Sequence, residues 1–62
     1  MCLSNVYLLT DDKETLVCEY ASSVKVTGRE IFLTDVIGRE VTVEGTIESV
    51  DLIKNEIKVR AN

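Results

Sequence analysis

Apolar and polar residues alternate along much of this chain. Val24 and Val26 flank Lys25, Val41 and Val43 interleave with Glu40, Thr42 and Glu44, and Ile57 and Val59 interleave with Glu56, Lys58 and Arg60. A period of two is that of a half-buried β-strand, whose successive side chains point to opposite faces. The pattern predicts strands at about 2–9, 15–20, 23–27, 30–34, 40–44, 46–53 and 56–60. Turn signals separate them at Thr10-Asp11-Asp12-Lys13, Gly28, Gly38 and Lys54-Asn55. Within 46–53 the parity slips between Ile47 and the pair Val50, Leu52, so a bulge is expected near Glu48-Ser49. Asp11, Asp12 and Glu14 would suit a helix N-terminus, but the Leu16/Cys18/Tyr20 alternation reads better as a strand with all three on the inner face.

Nine Val, five Ile and six Thr make twenty of the 62 residues β-branched, which supports strands, since such side chains pack well on a pleated surface. Short segments with connections of a few residues predict an all-β fold. The expected form is a single domain over 1–62, an antiparallel meander curled into a small SH3- or OB-like barrel of six to seven strands. Gly28-Arg29-Glu30-Ile31-Phe32-Leu33 is echoed by Gly38-Arg39-Glu40-Val41-Thr42-Val43. The plain reading is two strands entered through similar glycine turns, and the sharper one is a paired Arg29/Arg39 anion site.

A domain of this length hides only about 60% of the surface its unfolded chain exposes. Conformational entropy of roughly 1.5 kcal/mol per ordered residue offsets nearly all of that gain. A homodimer is therefore expected. The formal charge of −4, with no run of Lys and Arg, argues against nucleic-acid binding. So does the supply of stacking side chains, limited to Tyr7, Tyr20 and Phe32. No apolar stretch approaches the roughly 20 residues that span a bilayer, and no secretory leader is recognisable, so the expectation is a cytoplasmic protein without membrane contact.

There is no histidine, which excludes His-based triads and His metal ligands. The three glycines stand apart, so there is no glycine-rich phosphate loop, and the chain does not read as an enzyme. The two cysteines differ. Cys18 falls mid-strand and reads as a buried packing residue, with a zinc site of four thiolates from two chains, or a Cys2–Cys18 disulfide, as alternatives. Cys2 could equally be a packed apolar residue, but it lies beside the α-amine, a second donor that titrates near neutral pH. With Met1 removed, its amine and thiolate form a five-membered chelate. With Met1 retained, the Met1 amine, the Cys2 backbone nitrogen and the Cys2 sulfur form fused rings. Planar nitrogen and sulfur donors suit Ni(II) or Cu(II), and two chains about a two-fold axis would complete the set in the amine–thiolate mode. The Asp11, Asp12, Glu14 cluster lacks the spacing and internal glycine of a calcium loop and reads as a solvated turn.

Met1-Cys2-Leu3 with the early Val6-Tyr7 strand, the late Val43-Glu44-Gly45-Thr46-Ile47 and Val50-Asp51-Leu52, and the closing Ile57-Lys58-Val59 resemble the CooT family of small nickel-binding proteins. That resemblance implies a homodimeric β-barrel and Ni(II) bound through Cys2. It also implies an accessory role in maturation of nickel-containing carbon monoxide dehydrogenase, with that enzyme or its maturation factors as partners. A Met-Cys start is similar also to the HypC family of hydrogenase-assembly chaperones, whose chains continue with a proline-glycine pair. This chain has no proline. The reading that follows is a metallochaperone-like protein holding Ni(II) by Cys2 at a dimer interface. Its alternative is a small acidic barrel that binds an assembly partner, protein or RNA.

Overall fold

Five strands and no helix make up the computed structural model, which describes residues 3–62. They are β1 (Ser4–Leu9), β2 (Glu14–Thr27), β3 (Glu30–Asp35), β4 (Glu40–Asp51) and β5 (Glu56–Ala61). Each strand pairs with the next in antiparallel fashion, and β1 also pairs with β5, closing the sheet into a barrel. The β1–β5 pairing is parallel, with Asn5 opposite Glu56 and Leu9 opposite Arg60. The expectation of a wholly antiparallel barrel is corrected there. A meander with an odd number of strands must bring its first and last strands together in the same direction.

The six to seven expected strands become five because two of them bend without breaking. β2 pairs with β1 up to Ala21 and with β3 from Ala21 onward, so the segments 15–20 and 23–27 are halves of one strand. β4 pairs with β3 through Glu44 and with β5 from Gly45. Each bend has a local cause. In β2, Val6 faces Cys18 while Tyr7 faces Leu16, which leaves Val17 as an extra residue. Further extra residues follow between Cys18 and Ala21 and between Ala21 and Ser23, and bulges of this kind bend and twist a strand. Tyr20 sits at φ 57° within this stretch. The Ser22 hydroxyl donates to the carbonyls of Thr34 and Asp35 across the last bulge. In β4 the bend is Gly45, whose N–H donates to the Arg29 carbonyl at 2.9 Å. A Cβ there would overlap the Arg60 carbonyl oxygen and stand 2.8 Å from Val59 Cγ1, so the strands cross too closely for any other residue.

The bulge expected near Glu48-Ser49 is present as a register shift between Ile47 and Ser49, and it returns Val50 to the face of Ile57. The bulge at Val17 overturns the Leu16/Cys18/Tyr20 phase: Cys18 is buried, but Leu16 and Tyr20 are exposed. Both glycine turns of the echoed segment have positive φ, 59° at Gly28 and 91° at Gly38, and each leads into a strand at the glutamate two residues on. Val6, Cys18, Ala21, Ile31, Leu33 and Val59 form the core, with Leu8, Val24, Val41, Val43 and Ile47 packed against it.

A candidate metal site at the mouth of the barrel

Cys2 lies outside the described residues, two positions before β1 begins at Ser4. What the fold fixes is the frame from which that segment emerges. Ser4 pairs with Ala21 and Asn5 with Glu56, so β1 starts between the β2 bend and the β4–β5 turn. Asn5 ties it to both. Its side-chain Oδ1 accepts from the Tyr20 N–H at 3.1 Å, and its own N–H donates to the Asn55 carbonyl at 2.9 Å. Asn5 thus supplies an acceptor for a backbone donor that the bulge at Tyr20 removes from the ladder.

Two turns rim this mouth. In the β3–β4 turn, Asp35 Oδ1 accepts from the N–H groups of Ile37 and Arg39 at 3.0 and 2.9 Å, and Oδ2 accepts from Arg39 Nε at 3.0 Å. Val36 N–H donates to the Tyr20 carbonyl, which docks the turn on the β2 bend. Burial of Asp35 pushes its carboxyl pKa up, but the Arg39 N–H, the Arg39 guanidinium and the Ile37 N–H together outweigh it, and the result lies below the ordinary 3.8. In the β4–β5 turn, Asp51 accepts from the N–H groups of Lys54 and Ile53 at 2.9 and 3.0 Å. The Lys54 bond is the main reason its pKa is lowered, and burial opposes it. Apolar side chains project from both rims: Tyr20, Val36 and Ile37 on one side, and Leu52 and Ile53 on the other. A hollow of about 580 Å³ beside the second rim is lined by Val50, Leu52, Ile53, Lys54, Glu56 and Lys58.

Cys18 is a core residue, as its mid-strand place suggested. Burial raises its pKa above 9.0, the nearby Asp35 charge raises it further, and Arg39 partly offsets both. Its sulfur is a protonated thiol near neutral pH, a poor metal donor. Among the described residues, no group of three or more His, Cys, Asp or Glu side chains could hold a metal ion. Asp11 and Asp12 lie in an exposed turn closed by a bond from Thr10 N–H to the Lys13 carbonyl, and Glu14 pairs with Lys58 Nζ at 2.8 Å. Arg29 and Arg39 do not form an anion site. Arg29 precedes β3 and Arg39 follows it, so the two stand off its opposite ends, and Arg39 is held by Asp35. The Asp35–Arg39 clamp escaped the sequence reading. Its signal was an aspartate three residues before a glycine, since Asp side chains bond the backbone of the turn they open.

The fold defines a small single-sheet barrel in which β1 begins at a mouth between two apolar rims. The chain belongs to the CooT family, described as CO dehydrogenase accessory protein CooT, whose family model matches residues 1–60. Among solved structures, it is similar to the crystal structure of the protein assigned as CooT from Carboxydothermus hydrogenoformans. The two share 20% identity over 98% of each chain with a TM-score of 0.90, a likeness of fold. No curated protein matches the sequence.

Proposed function

We propose that this protein is a nickel-binding accessory protein, metallochaperone-like, that assists maturation of nickel-dependent carbon monoxide dehydrogenase and holds Ni(II) through Cys2 at a homodimer interface. The observation that carries the reading is the family match, which spans the chain from its Met1-Cys2 start to residue 60. Nickel is cargo in this reading, and the chain carries out no covalent chemistry on a substrate.

Two features support a shared site. Cys18 is committed to the core, so the soft donor left to the chain is Cys2, which with its neighbouring amine fills only part of a coordination sphere. The described barrel also leaves apolar surface uncovered around the start of β1. Tyr20, Val36, Ile37, Leu52 and Ile53 are all exposed there. A second copy covering the rims would bury them and bring two Cys2 residues together.

The test is a titration with Ni(II), followed by thiolate-to-nickel charge-transfer absorption in the near ultraviolet. Saturation at about one metal per two chains is expected, with affinity rising with pH as thiol and ammonium protons are displaced. Cys2→Ser should abolish the bands while leaving the far-ultraviolet spectrum of the barrel unchanged. Retention of the bands in that variant would refute the site.

A further inference from the structure

Away from the mouth, β2 beyond its bend, β3 and the first half of β4 form a three-stranded sheet. No described strand pairs with the outer edges of its two flanking strands. Its inner face carries Ile31 and Leu33 into the core. The register puts Lys25 opposite Phe32, Glu30 opposite Glu44 and Thr34 opposite Glu40 on the outer face. Phe32 stands at its centre, 37% exposed, beside a shallow hollow of about 380 Å³ lined also by Ser23, Lys25, Thr27, Thr34 and Glu40.

The charges on this face are unbalanced. Three glutamates share it with one lysine, and among the described residues none of Glu30, Glu40 and Glu44 has a salt-bridge partner, although Arg39, Lys58 and Arg60 each have one elsewhere. Like charges directly opposite on adjacent strands destabilise a sheet. Glu30 and Glu44 therefore impose a repulsion on the free protein that a cation placed between them would relieve. An exposed aromatic with a ring of unpaired charge of one sign is the anatomy of a protein-docking patch.

The geometry points to this outer face as a docking surface for a protein partner that presents Lys or Arg side chains around an apolar one, the cations seated between Glu30, Glu40 and Glu44 and the apolar group on Phe32. The charge pattern selects the occupant. A second copy of this chain would set glutamates against glutamates, and a phosphate backbone would be repelled. The face belongs to the part of β2 beyond Ala21, whereas the mouth gathers at Ser4 and Ala21, so a dimer formed through the rims leaves this sheet open to the partner.

The experiment is a titration of the isotopically labelled full-length protein with a capped pentapeptide Arg-Ser-Val-Ser-Arg, whose extended form places both arginines and the valine between them on one face. Saturable amide shifts confined to β3 and the adjoining halves of β2 and β4 are expected, weakening as salt rises. Glu30→Gln/Glu44→Gln should weaken binding roughly five- to tenfold, the scale of two partly exposed charge contacts. Asp11→Asn/Asp12→Asn removes the same charge elsewhere and should leave binding unchanged. Equal weakening by both double variants, or shifts that centre on the mouth, would overturn the proposal. Nickel uptake by Glu30→Gln/Glu44→Gln should match that of the parent, which separates this surface from the metal site.

Discussion

At the scale of the residue, the two cysteines divide cleanly by environment. Cys18 is buried opposite Val6 and near Asp35, so Cys18→Ala should lower stability by about 1–2 kcal/mol through lost burial and leave nickel binding intact. Thermal melts and nickel titrations on the same sample check both halves. Asp35 is the residue that ties the rim to solution conditions. Its pKa and that of Asp51 are lowered in the fold, so their contribution is present above the ordinary 3.8 and is lost as pH falls through the folded values. Lys58, raised above 10.5 by its bond to Glu14, and Cys18, raised above 9.0 by burial, contribute stability that disappears as pH climbs through their folded values. Stability measured by denaturant against pH should therefore form a plateau that falls at both ends. Asp35→Asn should lower the plateau and flatten its acid arm, and an unchanged acid arm would contradict the assignment. The burial of Cys18 was legible from its place in a β pattern. The clamp of Asp35 was not, because an aspartate at a strand end gives no sign from the alternation that it will turn inward.

At the scale of the element, the decisive features are the bends of β2 and β4. Alternation exposed the two halves of each strand but not their continuity, because a bulge or a close crossing resets the parity in the same way that a turn would. Glu48-Ser49 was recognisable since apolar residues flank it on both sides. The irregularities at Val17 and Tyr20 were not, since the apolar Leu16 and Tyr20 happened to continue the false phase. Gly45→Ala should destabilise the protein by about 1–3 kcal/mol or more, the cost of overpacking at a site where the neighbour is backbone. Gly28→Ala meets no atom within 4 Å and should suffer only from its φ of 59°, at about 1 kcal/mol. Melting both variants side by side checks the contrast. Asn5→Ala, which orphans the Tyr20 N–H, should loosen the β2 bend and speed hydrogen exchange at Tyr20 and Ala21 before it affects β3 or β4.

At the scale of the whole molecule, four large side chains are fully buried among the described residues, Ile31, Leu33, Val6 and Val59, which is a thin core for a domain that stands alone. Light scattering at micromolar concentration should return the mass of two chains. Ile37→Asp or Ile53→Asp should shift it toward the 6.9 kDa of one chain if the rims form the contact. The barrel as a class was legible, since short alternating segments with turn signals leave few other arrangements. The parallel direction of its closing pair was not, because it follows from an odd number of strands, and the two bends hid that the number is five. That closure has a consequence in time. β1 and β5 are the first and last of the five described strands, and Arg60 Nη1 reaches back to the Thr10 carbonyl across fifty residues. Pairings this remote in sequence form late and slowly. The β1–β5 ladder is thus the last expected to close as the chain folds, and the mouth, which draws on β1, the β2 bend and the β4–β5 turn, takes shape only when Asn5 meets Asn55 and Glu56.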